Sequence, residues 1–449
     1  MSRPRGWRLA AWIIGIIILI LILIVIGSWF WVRAEAAHVP PEPPPAPIAL
    51  LARPIPPGPQ AALLERGRYL TIAGDCVSCH TRKGGRPFAG GLGLPTPFGV
   101  IYTPNITGDR QYGIGAWTED QFYRTLDHGV VGDGDHLYPA FPYTHFTLVT
   151  RADADAILAY LKTVPPARYT PPGNLLPFPV DIRASMIAWN ALFFDNKAFR
   201  PDPNRPAQWN RGAYLVEGLA HCGACHTPRN IAGSEEEDKN LQGAELNQWV
   251  APDLTGNPRT GLGRWSADDI AQYLRAGRNA HSNAAGPMAE VVSYSTSLLS
   301  DADLQAIATY LKSLPPSPTE ASHAPDPLAM ERGANIFSDA CASCHLSDGR
   351  GHPGFLPPLS GSGIAQQRDP TGILHLILAG GRTGPTTTHP SAFTMPSFAW
   401  KLSDQEIADV ATFVRNSWGN RAEPVPADKV KDLRRKLKLV KPLTVTAAR

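Results

Sequence analysis

A chain of 449 residues is long enough for about three domains of ordinary size, and 43% apolar residues is an ordinary globular content. With 45 prolines and 40 glycines it must turn often, leaving little regular structure between helices. A formal charge of +3, with no basic face or aromatic ladder, argues against nucleic acid as a partner.

The amino terminus carries Arg3, Arg5 and Arg8, then an uncharged apolar run from Leu9 to Val32. About 24 residues at ~1.5 Å each span a bilayer core of ~30 Å. Trp29, Phe30 and Trp31 sit at the far end, where an aromatic belt belongs. The arginines hold the start of the run in the cytoplasm, so the rest of the chain is expected to be exported. Residues 1–37 are read as an uncleaved anchor or, alternatively, as a signal segment cut after Ala34-Glu35-Ala36. Residues 38–60, with Pro40, Pro41, Pro43, Pro44, Pro45 and Pro47, read as a stiff spacer lifting the first domain off the membrane.

A five-residue pattern then occurs three times: Cys76-Val77-Ser78-Cys79-His80, Cys222-Gly223-Ala224-Cys225-His226 and Cys341-Ala342-Ser343-Cys344-His345. C-x-x-C-H is the attachment site of a c-type haem, in which two thiols add to the two porphyrin vinyl groups. The adjacent histidine ligates the iron from the proximal side. The copies consume all six cysteines. A thioredoxin-like dithiol needs no following histidine, and a zinc site wants paired C-x-x-C knuckles at close range. Three haem c groups, with iron, are therefore expected, and the haem-bearing domains are placed in the periplasm.

The motifs lie in an internal repeat. Each unit opens with a short helix, at Glu65–Leu70, Asn210–Leu215 and Glu331–Ile336, about ten residues ahead of its cysteines. Each continues with a proline loop, at Pro104–Thr107, Pro252–Thr255 and Pro357–Ser360. Capping-box starts are legible at Thr118–Gln121 and Ser266–Asp269. The units close with amphipathic helices over Asp153–Val164, Ser300–Leu314 and Ser403–Trp418. The fold class implied is all-α: three class I cytochrome c domains in series behind one transmembrane helix. The boundaries are 61–170, 207–316 and 328–420, with a connector at 171–206 and a linker at 317–327. A basic tail at 421–449 reads either as a solvated helix or as one drawn to anionic lipid or a partner.

A class I haem takes its second ligand from a loop ahead of the closing helix, and the chain has only five methionines. Met288 and Met395 stand in such positions in the second and third units. In the first, Phe141 stands just before Pro142 where methionine belongs, and phenylalanine cannot bind iron. His145 is the substitute favoured there, ahead of His136 and His128, with a five-coordinate iron as the remaining alternative.

These motifs, together with the runs Leu137–Tyr143, Trp209–Asn230 and Gly286–Val292, resemble the trihaem cytochrome c subunit of membrane-bound periplasmic dehydrogenases. The family includes alcohol, gluconate and fructose dehydrogenases, and the likeness covers about residues 60 to 420. It implies that His80, His226 and His345 are proximal ligands and Met288 and Met395 distal ones. It implies a catalytic partner subunit carrying a quinoprotein or flavin cofactor, and electron delivery to ubiquinone or a terminal oxidase. The Phe-Pro-Tyr-x-His-Phe run resembles instead the cytochromes paired with molybdopterin and iron–sulfur hydroxylases, which oxidise aldehydes or N-heterocycles. No catalytic residue is expected in this chain. The competing reading is a haem peroxidase using an open first iron, with a haem sensor a further alternative.

Overall fold

The computed structural model of the protein describes residues 5–36, 49–132 and 134–439. The prolines from Pro40 to Pro47, expected to form the spacer, and the tail from Val440 lie outside the described residues. The chain divides into two compact units: one of Met1–Arg68, Cys76–Thr144 and Arg151–Asn196, the other of Tyr69–Asp75, His145–Thr150 and Lys197–Arg449. The second and third repeats share the second unit.

The first unit begins with the apolar helix α1 (Arg5–Ala36). Its far end packs on the domain: Val32 is buried, and Ser28 Oγ donates to the carbonyl of Phe178 at 3.3 Å. Helix α2 (Ala61–Ala73) gives its first half to this unit. The hairpin of β1 (Gly93–Thr96) and β2 (Gly99–Tyr102) comes next. Helix α3 (Glu119–His128) starts on a capping box between Thr118 and Gln121 and stops at Gly129 in the left-handed region. Closing helix α4 (Arg151–Leu161) buries Ile157, Leu158 and Leu161. The connector forms α5 (Ser185–Phe193), whose Met186 packs with Tyr138 and Leu176.

In the second unit α6 (Ala207–Ala213) runs on as a π-helical turn through Tyr214–Leu219. Strands β3 (Ala244–Leu246) and β4 (Trp249–Ala251) pair, and α7 (Ala267–Ala276) starts on a capping box of Ser266 and Asp269. Helix α8 (Pro287–Tyr294) precedes closing helix α9 (Asp301–Lys312). The third repeat adds α10 (Pro327–Ala340), α11 (Thr371–Ala379), the short hairpin β5 (Gly381–Arg382) and β6 (Thr394–Met395), and closing helix α12 (Asp404–Asn416). The fold is mostly helical, but each repeat adds a two-stranded hairpin that the all-α expectation did not include.

One device recurs in all three repeats. The opening helix crosses the closing helix at a glycine, and a Cβ there would lie 1.9 Å from Ala156 O at Gly67, 2.0 Å from Ala306 O at Gly212 and 2.3 Å from Asp409 O at Gly333. Only a residue without a side chain allows this approach. The preceding arginine then pairs with a carboxylate of the closing helix: Arg66 with Asp153, Arg211 with Asp303 at 2.7 Å, and Arg332 with Asp409 at 2.6 Å. The crossing is thus fixed by a backbone contact and a doubly hydrogen-bonded charge pair.

The basic tail is neither free nor simply solvated. Helix α13 (Ala427–Lys436) buries Val430 and Leu433 against the third repeat, and Arg434 is 4% exposed. Its guanidinium pairs with Asp404 at 2.7 Å and donates to the carbonyls of Ala399 and Leu402. Lys429 pairs with Asp369 at 3.3 Å and Lys436 with Asp432 at 3.0 Å, so much of the positive charge is neutralised within the protein.

Candidate haem centres

Each cysteine pair lies on one helical turn, at Cys76–Cys79, Gly223–His226 and Ala342–His345. Residues three and four apart share a helix face, so both thiols and the histidine leave the turn on the same side. All six cysteines are free of disulfides. Burial pushes three of the thiols up, Cys222 to about 12 and Cys225 and Cys341 to about 11.

The three histidines are held alike. Nδ1 of His80 lies 2.8 Å from the carbonyl of Pro104, that of His226 2.6 Å from Pro252, and that of His345 3.1 Å from Pro357. A carbonyl can only accept, so Nδ1 carries the proton and Nε2 is the basic nitrogen. Burial lowers all three imidazoles and so favours the neutral form, opposed in part by the bond to the proline carbonyl. The proline loop of each repeat is therefore the orienting partner of its histidine. Two thiols on one turn beside a neutral, oriented imidazole are the donor set a covalent c-type haem requires, and these residues fit it.

Met288 stands in the first turn of α8, after Gly286 at φ 58°, and is helical rather than in a loop. Met395 is on β6, paired with Gly381. Both are half-buried. The two segments are packed on each other. A Cβ on Gly384 would lie 2.3 Å from Ala289 O and 2.1 Å from Ser293 Oγ, and one on Gly381 would lie 3.5 Å from Ala285. Beside them Trp249 stacks on His375 with ring centroids 3.7 Å apart, and His375 Nδ1 donates to Gln248 O at 2.8 Å. Arg278 lies over Phe393 at 4.9 Å. None of these contacts was visible in the sequence, because each joins residues far apart in the chain.

His145, the candidate distal ligand of the first iron, is engaged on both ring nitrogens. It belongs to the second unit, where its Nδ1 donates to Glu217 O at 2.7 Å and its Nε2 lies 2.9 Å from the Glu235 carboxylate. Burial alone would lower this imidazole, but the bond and charge of Glu235 raise it, while Glu235 itself is held low. Glu235 also binds Arg229 at 2.9 Å. The ring packs against Gly223 of the second haem motif, where a Cβ would come within 2.7 Å of Cε1. Both nitrogens are engaged, so binding iron would require breaking one of these bonds. His128 pairs with Asp127 at 2.9 Å, and His136 faces Asn190 at 3.3 Å.

Comparison with known proteins gives a consistent pattern. The cytochrome c family profile matches three segments, residues 64–165, 210–315 and 330–418. The chain is 44% identical over 398 residues to the gluconate 2-dehydrogenase cytochrome c subunit of Pantoea cypripedii, covering 83% of this chain and 90% of that protein. It is 41% identical to the cytochrome c subunit of alcohol dehydrogenase (quinone) of Komagataeibacter europaeus, covering 82% of each. It is 42% identical to a nicotinate dehydrogenase subunit of Pseudomonas putida, covering 82% of this chain and 32% of that one.

Proposed function

The chain belongs to the cytochrome c family, and from that premise we propose that it is the electron-carrying subunit of a membrane-bound dehydrogenase, without substrate chemistry of its own. The observation that carries this reading is the threefold repetition of a C-x-x-C-H turn whose histidine is oriented by a proline carbonyl. Haem c bound there supplies reversible one-electron chemistry.

In this reading three class I domains hold three haems through Cys76 and Cys79, Cys222 and Cys225, and Cys341 and Cys344. His80, His226 and His345 are the proximal ligands, and Met288 and Met395 the distal ligands of the second and third irons. His145, the distal candidate for the first iron, is here assigned to its contact with Glu217 and Glu235, which leaves that iron five-coordinate. A bare first iron would suit a peroxidase, but the relatives' names support an electron-carrying role instead.

The partner is a periplasmic dehydrogenase subunit, and the acceptor is ubiquinone or a terminal oxidase. The kinship with a nicotinate dehydrogenase subunit favours a heterocycle-oxidising partner, and the resemblance of the Phe-Pro-Tyr-x-His-Phe run supplies the expectation that this partner carries molybdopterin and iron–sulfur centres. Helix α1 retains the chain in the inner membrane with its haem domains outside. Gentle solubilisation of native membranes, capture of this chain and identification of the co-isolated large subunit and cofactor test the proposal. Molybdopterin would support the heterocycle reading, and a quinone or flavin would redirect it to alcohols or sugars. Isolation without any dehydrogenase, combined with brisk peroxide consumption, would overturn it.

A further inference from the structure

Among the described residues, nothing covers one face of helix α5. Ala184, Ile187, Ala188, Ala191 and Leu192 keep the i, i+3, i+4, i+7, i+8 pattern, and all five are exposed. Ile187 is 56% and Leu192 75% exposed, an arrangement unfavourable in water because large apolar side chains gain by leaving it. The face is not exposed because the helix is loosely attached. Its other side is fixed by buried Met186, by Trp189 edge-on to Tyr143, and by Asn190, whose side-chain oxygen accepts from Tyr143 Oη at 2.6 Å. Asp181 and Arg183 lie before it and Asp195 after it, so the charges sit at its ends.

The position of α1 identifies the occupant. Ser28 precedes Arg33 by five residues, about 7.5 Å along a helix at ~1.5 Å per residue. With α1 in a bilayer and Arg33 at headgroup level, its bond to the Phe178 carbonyl would bring the connector to the boundary between headgroups and acyl chains. From there Val180 packs against the cluster of Tyr138, Leu176 and Met186, and Tyr138 Oη donates to the Val180 carbonyl at 2.8 Å. The anchor's end, the connector and α5 are thus one continuous packed assembly within the first unit.

We infer that α5 lies in the membrane interface with its Ile187–Leu192 face among the lipid acyl chains, a second, monotopic attachment beside the anchor. The inference rests on α1 remaining in the bilayer. Its consequence is orientational: one spanning helix leaves a domain free to swivel about it, and a second contact fixes which side of the first domain faces the membrane.

The test is photolabelling of the full-length haem-loaded protein in nanodiscs of phosphatidylethanolamine and phosphatidylglycerol containing a lipid with a diazirine on its acyl chain. Adducts are mapped by peptide mass spectrometry. The expected result is labelling of α1 and of residues 184–192. The double variant Ile187→Glu, Leu192→Glu should lose the second set while keeping the first and its haem spectrum. Labelling of α1 with none on α5, as for a face reserved for the catalytic subunit, would overturn the inference alone. Labelling of neither would remove the anchor reading as well.

Discussion

At the scale of single residues, the haem motifs were legible because their chemistry is local: two thiols and an imidazole must leave one helical turn. What orients each histidine was half legible, since the proline loops were visible as a repeat but not as hydrogen-bond acceptors. His145 makes contacts that its sequence neighbours do not announce. Its neighbours in sequence place it in a distal loop, whereas its partners Glu217 and Glu235 lie more than seventy residues on. His145→Ala should leave the oxidised and reduced haem spectra unchanged and lower stability by about 1–3 kcal/mol, the cost of losing the buried imidazole's bonds to Glu217 and Glu235. Loss of a low-spin ferric signal in the variant's electron paramagnetic resonance spectrum would return His145 to the first iron. Met395→His should lower one of three midpoint potentials in a redox titration, because methionine ligation raises haem potential relative to histidine. Three unchanged potentials would remove Met395 from the ligand set.

At the scale of elements, the helix starts and the closing helices were readable from capping residues and apolar spacing, and the structure places capping boxes at Thr118 and Ser266 as expected. The glycine crossings were not legible, because a glycine in an amphipathic helix gives no signal until its partner carbonyl is known. Gly212→Ala should destabilise the second domain by about 1–3 kcal/mol through overpacking against Ala306, measured by thermal or denaturant unfolding. The charge pair beside it has a pH signature. Burial would raise the Asp303 carboxyl, but hydrogen bonds from Arg211 and Tyr69 bring it below the ordinary value. A depressed folded pKa contributes stability above the unfolded value of about 3.9 and loses it as pH falls through the folded one. Unfolding of the parent protein should therefore show an acid-side loss that Asp303→Asn lacks, and equal pH profiles would contradict that account. The tail helix reads as basic because its cations are many, but its apolar positions Val430 and Leu433 dock it.

At the scale of the whole molecule, the threefold repeat was legible in the sequence, and the packing of the second repeat on the third was not. That contact depends on Gly384 meeting Ala289 and Ser293 and on the Trp249–His375 stack, both long-range. Gly384→Val should leave haem content and spectra intact, weaken the contact by about 1–3 kcal/mol, and slow electron redistribution within the chain after pulsed reduction. An unchanged rate would mean that the contact has no part in conduction. The central claim is that the chain is a three-electron carrier fed by a dehydrogenase. Its most direct test is anaerobic addition of the partner's substrate to the full chain co-isolated with that partner, monitoring the reduced c-type α-band against a haem standard. The account predicts three haem equivalents reduced per chain, without peroxide turnover by this subunit. Fewer than three haems, or no reduction by the substrate, would contradict it.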